Sequence, residues 1–298
     1  MAAYDRQHII PEFYLRRFIM SPARKKIWVF DKISSRVFLT NITNAGCERN
    51  FYDIPFVLYP QLKGKKNPEE ILFSPFDERS SKMLNALFDD INSGSEISNE
   101  KYKFGLAYFI SMLILRVKRI RNSFETLSKN RPEIDLIKRE KNKEKYGSRE
   151  HELLSRAAHF EDLKTPAIII DPMANELLGR FEWNLRVNTT QKLFYTSDNP
   201  VVVNADCRED FIDNIRLDRP GRCVYIPLSP QYILVLKDRK IYAPLSPGKI
   251  ILEENGLKEV LYFNTLQVTQ SSRWIYSSTN DFELAYNLIK KHPKVINR

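Results

Sequence analysis

The sequence predicts an α+β fold, with a mixed, mainly antiparallel sheet and a helical region (about residues 75–165) packed at one side. Segments rich in β-branched and aromatic residues lie near both ends of the chain, at 26–42 and beyond Pro166. Between them, apolar residues recur at helical spacing. Because strand patterns flank the helices on both sides, we expect N- and C-terminal strands to share a sheet. With only 9 glycines, a fibrous or repeat architecture is disfavoured.

The chain length bounds the number of domains. A chain of 298 residues with 43% hydrophobic residues can bury one large core or two ordinary ones. Neither set of strands alone offers enough sheet for an independent fold. We therefore predict a single compact unit over 1–298, with a helical subregion at 75–165 and a strand-rich subregion at 166–298.

The first elements follow from local signals. Pro11 suits a first helical position, Glu12 favours the positive end of the helix dipole, and Ser21-Pro22 ends this helix near Met20. Two strands joined by a short turn are predicted at 26–33 and 36–42, and the segments 51–56 and 63–70 are predicted to be loop.

The remaining elements are taken in chain order. Helices are predicted at 75–91, 99–128, 132–147 and 151–163. Strands are predicted at 180–189, 192–198, 199–204, 222–230 and 231–238. A helix at 255–271, a strand at 273–279 and a helix at 281–291 follow.

Targeting and redox signals indicate a cytoplasmic protein that does not enter a membrane. The first eleven residues have no apolar stretch typical of a secretory signal, and the apolar segment 104–115 is too short to span a bilayer. Cys47, Cys207 and Cys223 show no CxxC spacing, so we predict free thiols, without a disulfide or a thiolate zinc site.

Charge is concentrated in two segments. The net charge is +10, and residues 116–145 carry eleven Lys/Arg against five Asp/Glu, while residues 1–36 carry eight against three. This pattern predicts an anionic partner, and nucleic acid (RNA favoured) is our first hypothesis. A solvated helix face and a protein partner are the alternatives. The candidate binding residues are Arg17, Lys138, Arg139, Lys141, Lys143, Lys145 and Asn199.

Three residues are candidates for catalysis, and each has a structural alternative. The His8 imidazole suits acid–base chemistry near neutral pH, or it is a helix-entry residue bonded to backbone. Arg116 ends an apolar helix, so its guanidinium needs a phosphate or a buried carboxylate, for which Asp198 is a candidate. Asp198 and Asn199 follow a strand, where they act on a ligand or cap a turn.

Common cofactor and metal motifs are missing from the sequence. There is no Walker A loop, no GxGxxG and no GxSxG. His151 and His159 are eight residues apart, which is not the spacing of a zinc-binding helix. We predict neither a metal nor a cofactor.

Several short motifs resemble a bacterial family known as domain of unknown function 4238. They are HIIPEFYLRRF at the start, then IWVFDK, ERNFYD, an apolar helix ending in Arg116, Thr196–Val201, Pro227–Pro230 and Asn264 within a late helix. The resemblance spans nearly the whole chain. It implies a shared fold and is compatible with a role in mobile elements or phage defence, but it implies no established activity.

Two functional hypotheses follow. The first is a ribonuclease-like effector in which His8 moves protons, Arg116 stabilises charge on phosphate and Asp198 orients one of them. The second is a non-catalytic module that binds nucleic acid or protein, in which these three residues are structural. Exposure of the three side chains discriminates the two hypotheses.

Overall fold

The structure is a computed structural model that describes residues 6–21, 23–49, 51–52, 68–94, 99–120, 166–204, 217–242 and 249–297. Its α-helices are α1 (Glu12–Leu15), α2 (Pro68–Asn92), α3 (Asn99–Arg116), α4 (Pro166–Arg180), α5 (Leu257–Gln270) and α6 (Glu283–Lys291). The predicted helices at 132–147 and 151–163 lie outside the described residues.

The described strands form three sheets. The strands are β1 (Arg6–His8), β2 (Lys26–Asp31), β3 (Arg36–Asn41), β4 (Cys47–Arg49), β5 (Phe181–Asn188), β6 (Thr196–Ser197), β7 (Val202–Asn204), β8 (Cys223–Ser229), β9 (Tyr232–Asp238), β10 (Lys249–Leu252) and β11 (Trp274–Ser277). Their orders are β1-β4, β10-β5-β9-β8-β7 and β3-β2-β11-β6. Only the β10–β5 pair is parallel among these strands.

The predicted α+β class is confirmed, and the four-stranded sheet joins N-terminal β2 and β3 to C-terminal β11 and β6. The strands are nevertheless divided among three sheets. The chain leaves the four-stranded sheet after Ser197 and enters the five-stranded sheet at Val202. Pro200 lies between them, and a proline cannot donate a ladder hydrogen bond, so the strand is interrupted at this point.

Some predicted boundaries were wrong. Helix α2 begins at Pro68 rather than Pro75, because a proline suits the first position of a helix. The strand-rich subregion begins with helix α4 at Pro166. The N-terminal helix ends as a single 3₁₀ turn at Phe18, because Ile19 is extended and Met20 already bonds to Lys26.

One hydrophobic core connects the ends of the chain to the helices. It draws residues from α1, α2, α3, α4, β5, β8 and β11, including Tyr14, Leu84, Ile110, Leu177, Trp183, Val224 and Tyr276. Helix α3 packs against both α2 and α4, and it is buried almost continuously from Leu106 to its last residue, Arg116. Among the described helices, none has the length and apolarity needed to cross a bilayer.

Candidate functional site

The N-terminal motif is held by a two-stranded ribbon and a glycine. Strands β1 and β4 place His8 opposite Cys47. Gly46 precedes β4 with a φ of +64°, and an added Cβ would lie 2.7 Å from Leu15 Cδ1, so a side chain is excluded twice over. Its carbonyl accepts from the N–H groups of Ile9 and Ile10, and its own N–H donates to Tyr276 Oη at 3.1 Å. The motif is thereby tied to β11.

Arg116 is the polar centre of this region. Its side chain is wholly buried, with Nη1 2.7 Å from Asp77 Oδ1 and Nη2 2.9 Å from the carbonyl oxygen of His8. The guanidinium lies 4.0 Å from the centroid of the Phe73 ring. The last residue of α3 thus joins α2 to the N-terminal strand.

The expected pairing of Arg116 with Asp198 is wrong, because Asp77 supplies the carboxylate. Helix α2 packs beside α3 and brings Asp77 within reach, while the carboxylate of Asp198 is bound elsewhere. Sequence reasoning missed Asp77. The available signal was that Asp77, in a predicted helix, follows two aromatic residues, Phe73 and Phe76.

Asp198 lies in the segment between Ser197 and Val202, where the chain passes from the four-stranded to the five-stranded sheet. We call this segment the sheet crossing. Its carboxylate accepts from the backbone N–H groups of Ser272, Arg273 and Trp274 at 2.8, 2.7 and 3.0 Å. Burial raises the pKa of Asp198, although the three N–H groups and the Lys32 ammonium oppose the rise. Its bonding favours the structural alternative.

Helix α5 fixes the backbone of the same crossing with buried amides. Asn264 accepts from the N–H of Tyr195 and donates to the carbonyl of Leu193 at 2.8 and 2.9 Å. Gln267 accepts from the Ser197 hydroxyl and donates to the carbonyl of Pro200 at 2.7 and 2.9 Å. Sequence reasoning missed Gln267, although polar residues three apart on an otherwise apolar helix face were the signal.

Asn199 has a similar role. Its Nδ2 donates to the carbonyl of Gln270, the last residue of α5, at 3.1 Å, and its own N–H donates to the Ser197 hydroxyl. The side chain is buried, which favours the turn-capping alternative over ligand binding.

His8 and Arg116 come together, whereas Asp198 does not join them directly. The His8 contact to Arg116 is made by the backbone carbonyl, which also accepts from Tyr52 Oη at 3.5 Å. The hydrogen bonds of Asp198 involve neither residue. The His8 side chain is half-buried at the ribbon, and its catalytic role stays a prediction.

A second region combines cations with aromatic rings at the C-terminal end of α5. We call the surface formed by Arg36, Phe38, Lys118, Arg119, Arg273 and Trp274 the basic corner. Arg119 Nη1 lies 3.0 Å from both the carbonyl and the side-chain oxygen of Gln270. Lys118 Nζ pairs with Glu48 at 3.0 Å.

One aromatic ring of the basic corner is stacked against a guanidinium. Arg273 lies 4.2 Å from the Trp274 ring centroid, and Phe38 meets Trp274 edge to face with centroids 6.0 Å apart. Phe38 is 40% exposed on β3. Its ring is therefore open to a further stacking partner.

Asp31 holds Arg273 in position. Its two carboxylate oxygens accept from Arg273 Nε at 3.0 Å and Nη2 at 2.8 Å. Burial alone would raise the pKa of Asp31, but hydrogen bonds from Arg273, Ser34 and the N–H of Ile33 lower it to about 2. Asp31 therefore stays ionised at neutral pH and keeps Arg273 over Trp274.

Other predicted binding residues lie elsewhere. Arg17 is half-buried against α2, where its guanidinium bonds to Asn85 and lies 4.5 Å from the Phe88 ring centroid. Burial lowers the pKa of Arg17, and Asp89 opposes the change. Lys138, Arg139, Lys141, Lys143 and Lys145 lie outside the described residues. Within the described ranges, no three His, Cys, Asp or Glu side chains are grouped to hold a metal ion.

A family model described as "Protein of unknown function (DUF4238)" matches residues 6–281. The chain belongs to this family. The DUF4238 match covers the β1–β4 ribbon, Arg116 with its partner Asp77, the segment between Ser197 and Val202, and the basic corner. Neither the curated proteins nor the solved structures contain a match to the chain.

Proposed function

We propose that the protein binds nucleic acid, with RNA favoured, at the basic corner. The supporting observation is that the two basic segments approach each other at residues 270–274. Lys32, from the N-terminal segment, donates to the carbonyl of Ser271 at 2.7 Å, and Arg119 donates to that of Gln270. These cations also stabilise the negative end of the α5 dipole.

The chemistry of the basic corner suits a single strand. Lys and Arg side chains neutralise phosphates, and exposed rings stack on unpaired bases. Arg36 is exposed and makes no ion pair with any described residue, so it is available for phosphate. Phe38, two residues along β3, offers its open ring. RNA presents unpaired bases in loops, which is our reason for favouring it.

Binding, rather than cleavage, is the function that the geometry supports best. Arg116 and Asp198 are committed to internal partners, so the described bonding leaves them little capacity to act on a substrate. A ribonuclease-like activity and a setting in phage defence or mobile elements stay predictions.

The proposal is tested with the double variant Arg36→Ala/Phe38→Ala. We expect its affinity for a labelled single-stranded RNA to fall about 10-fold or more, since one stacked base is worth about 1–3 kcal/mol and 1.4 kcal/mol is tenfold. The salt dependence should also flatten by about one unit for the lost phosphate contact. Fluorescence anisotropy over a salt series measures both quantities.

The matched control is Leu257→Ala/Lys258→Ala at the opposite end of α5. It likewise removes one exposed apolar side chain and one exposed cation. Equal affinity in the two double variants, or no binding by the parent at low salt, contradicts the proposal.

The basic segment 116–145 allows a second, independent test of RNA binding. Neutralising Lys138, Arg139, Lys141, Lys143 and Lys145 should weaken RNA binding and flatten its salt dependence, with little loss of stability. Unchanged affinity would make this charged segment a solvated surface and restrict the interface to the basic corner. A single-stranded DNA of the same sequence shows whether RNA is preferred.

A further inference from the structure

A cavity of about 250 Å³ lies between α5, the start of α6 and the segment 191–195. Its apolar lining consists of Leu193, Leu261 and Leu284, together with Tyr195. The Tyr195 hydroxyl donates to the carbonyl of Asp281 at 2.5 Å, which fixes the ring. The volume is just below the roughly 300–1,000 Å³ usual for drug-sized ligands, so it suits a small molecule.

The cavity is lined by two negatively charged side chains and one positively charged side chain. Lys192 Nζ lies 2.6 Å from Asp281 Oδ2, so these two charges neutralise each other. Glu283 is also in the lining, is exposed, and has no ion pair with a described residue. One carboxylate is thus left over, in a chain whose net charge is +10.

Two neighbouring groups respond to this local negative charge. The hydrogen bond that Lys192 donates to the Asp281 carboxylate is the main reason that the pKa of Lys192 is raised, and Glu283 adds to the rise. Burial raises the pKa of Tyr195, and Asp281 and Glu283 raise it further. The cavity therefore has the opposite electrostatic preference to the basic corner.

Two exposed amide side chains also line the cavity. Gln191 and Asn287 are exposed at the cavity and make no side-chain hydrogen bond with any described residue. Apolar walls with a few convergent polar groups are the usual composition of a ligand site. An anion in the cavity would be repelled by Asp281 and Glu283, and Lys192 is already paired with Asp281. A cation would instead find the carboxylate of Glu283, which has no ion pair with a described residue.

We propose that this cavity binds a small organic monocation, namely a primary ammonium or a guanidinium on a short branched apolar body. The cationic head contacts Glu283, and the carbon body packs against Leu193, Leu261 and Leu284. Gln191 and Asn287 hydrogen-bond to polar atoms at the mouth of the cavity. This site is separate from nucleic-acid binding, so either proposal stands without the other.

The test compares three probes with the same carbon skeleton on the full chain: isopentylamine, isopentanol and isovalerate. We expect the amine to bind with a Kd of about 1 mM, and the alcohol and the acid at least about 10-fold more weakly. Ligand-observed NMR gives the affinities, and a ligand-dependent rise in Tm reports binding to the folded protein.

Two variants with opposite expected shifts localise the site. Glu283→Gln should weaken amine binding about 10-fold, because it removes the negative charge but keeps the volume of the side chain. Lys192→Gln should tighten amine binding, because it leaves Asp281 without its counter-charge. Glu254→Gln, an exposed acid in the 3₁₀ turn before α5, is the matched control and should bind as the parent does.

Equal binding of the three probes, or no amine binding below about 50 mM, overturns the proposal. Unchanged affinity in Glu283→Gln does so as well. If Glu283→Gln fails to fold, a looser rather than tighter amine complex in Lys192→Gln contradicts the assignment.

Discussion

The N-terminal motif region and the basic corner use polar side chains in opposite ways. Around the motif, Arg116 is bonded within the fold to the carboxylate of Asp77 and to the carbonyl of His8. At the basic corner, Arg36 and the ring of Phe38 are exposed, and only part of the charge there is paired. Conspicuous motif residues therefore serve the architecture, and the surface residues have greater freedom to contact a partner.

Helix α5 shows the same difference along a single element. Its buried amides, Asn264 and Gln267, bond to backbone and hold the sheet crossing. Its C-terminal end is surrounded by cations, while the cavity near Leu261 carries excess negative charge. Helix α5 thus contributes its C-terminal end to the basic corner and its middle, with Leu261 and Asn264, to the cavity.

Arg116 should give the largest loss of stability. Removing one partner of a buried ion pair typically costs about 3–5 kcal/mol, and Arg116→Ala also loses the bond to His8 and the contact with Phe73. Arg116→Lys keeps the charge but loses the planar fork, so we expect a smaller loss. Chemical denaturation at neutral pH measures both variants.

Exposed Arg24, which makes no ion pair with a described residue, provides the control. Arg24→Ala should stay within about 0.5 kcal/mol of the parent. If Arg116→Ala is equally stable, the guanidinium is not structural and its role as a phosphate ligand gains support.

Asp31 should give an intermediate effect that depends on pH. Its pKa in the folded state is about 2, below the usual 3.8, so it favours folding above about pH 4 and this contribution is lost as pH falls toward 2. The shift corresponds to roughly 2 kcal/mol. Because Arg273 is 44% exposed, solvent screening reduces the expected value to about 1–2 kcal/mol.

The comparison of parent and Asp31→Asn isolates this contribution. The variant should be less stable at pH 7, and the difference from the parent should shrink as the pH approaches 2. A constant difference between pH 7 and pH 2 would show that Asp31 acts through packing alone. A pH 7 difference in RNA affinity would show whether Asp31 positions Arg273 and Trp274 for binding.

The fold class could be predicted from the sequence because the spacing of apolar residues, which distinguishes helices from strands, is a local property. The β2–β3 hairpin, α5 and α6 appear close to their predicted bounds. The helix at 166–180 was missed because the following strands dominated the pattern. The division into three sheets depends on Pro200 and on long-range bonds from α5, which no local pattern encodes.

The partners of the motif residues were harder to predict. Arg116 was recognised as needing a carboxylate, but which one depends on how α2 packs against α3, and that is a tertiary property. The acidic cavity was missed altogether, because Lys192, Asp281 and Glu283 converge from different elements and carry no motif.

His8 should give the smallest loss of stability, and so it separates chemistry from architecture. Its backbone carbonyl, not its ring, accepts from Arg116 and Tyr52, so His8→Ala retains both bonds. Asp198→Asn is the contrasting variant. It replaces a carboxylate oxygen that accepts N–H bonds by an amide donor, at a cost of about 1–3 kcal/mol.

Turnover of RNA and Tm should be measured together for these two variants. If the His8 ring is a general acid or base, His8→Ala keeps a near-parental Tm while cleavage falls about 10²–10⁴-fold. For Asp198→Asn, any loss of activity should follow the loss of folded protein. A stable His8→Ala protein that cleaves RNA as the parent does would exclude the catalytic role of His8. A parent that binds RNA without cleaving it would leave the basic corner as the functional surface and His8 as part of the ribbon that supports Arg116.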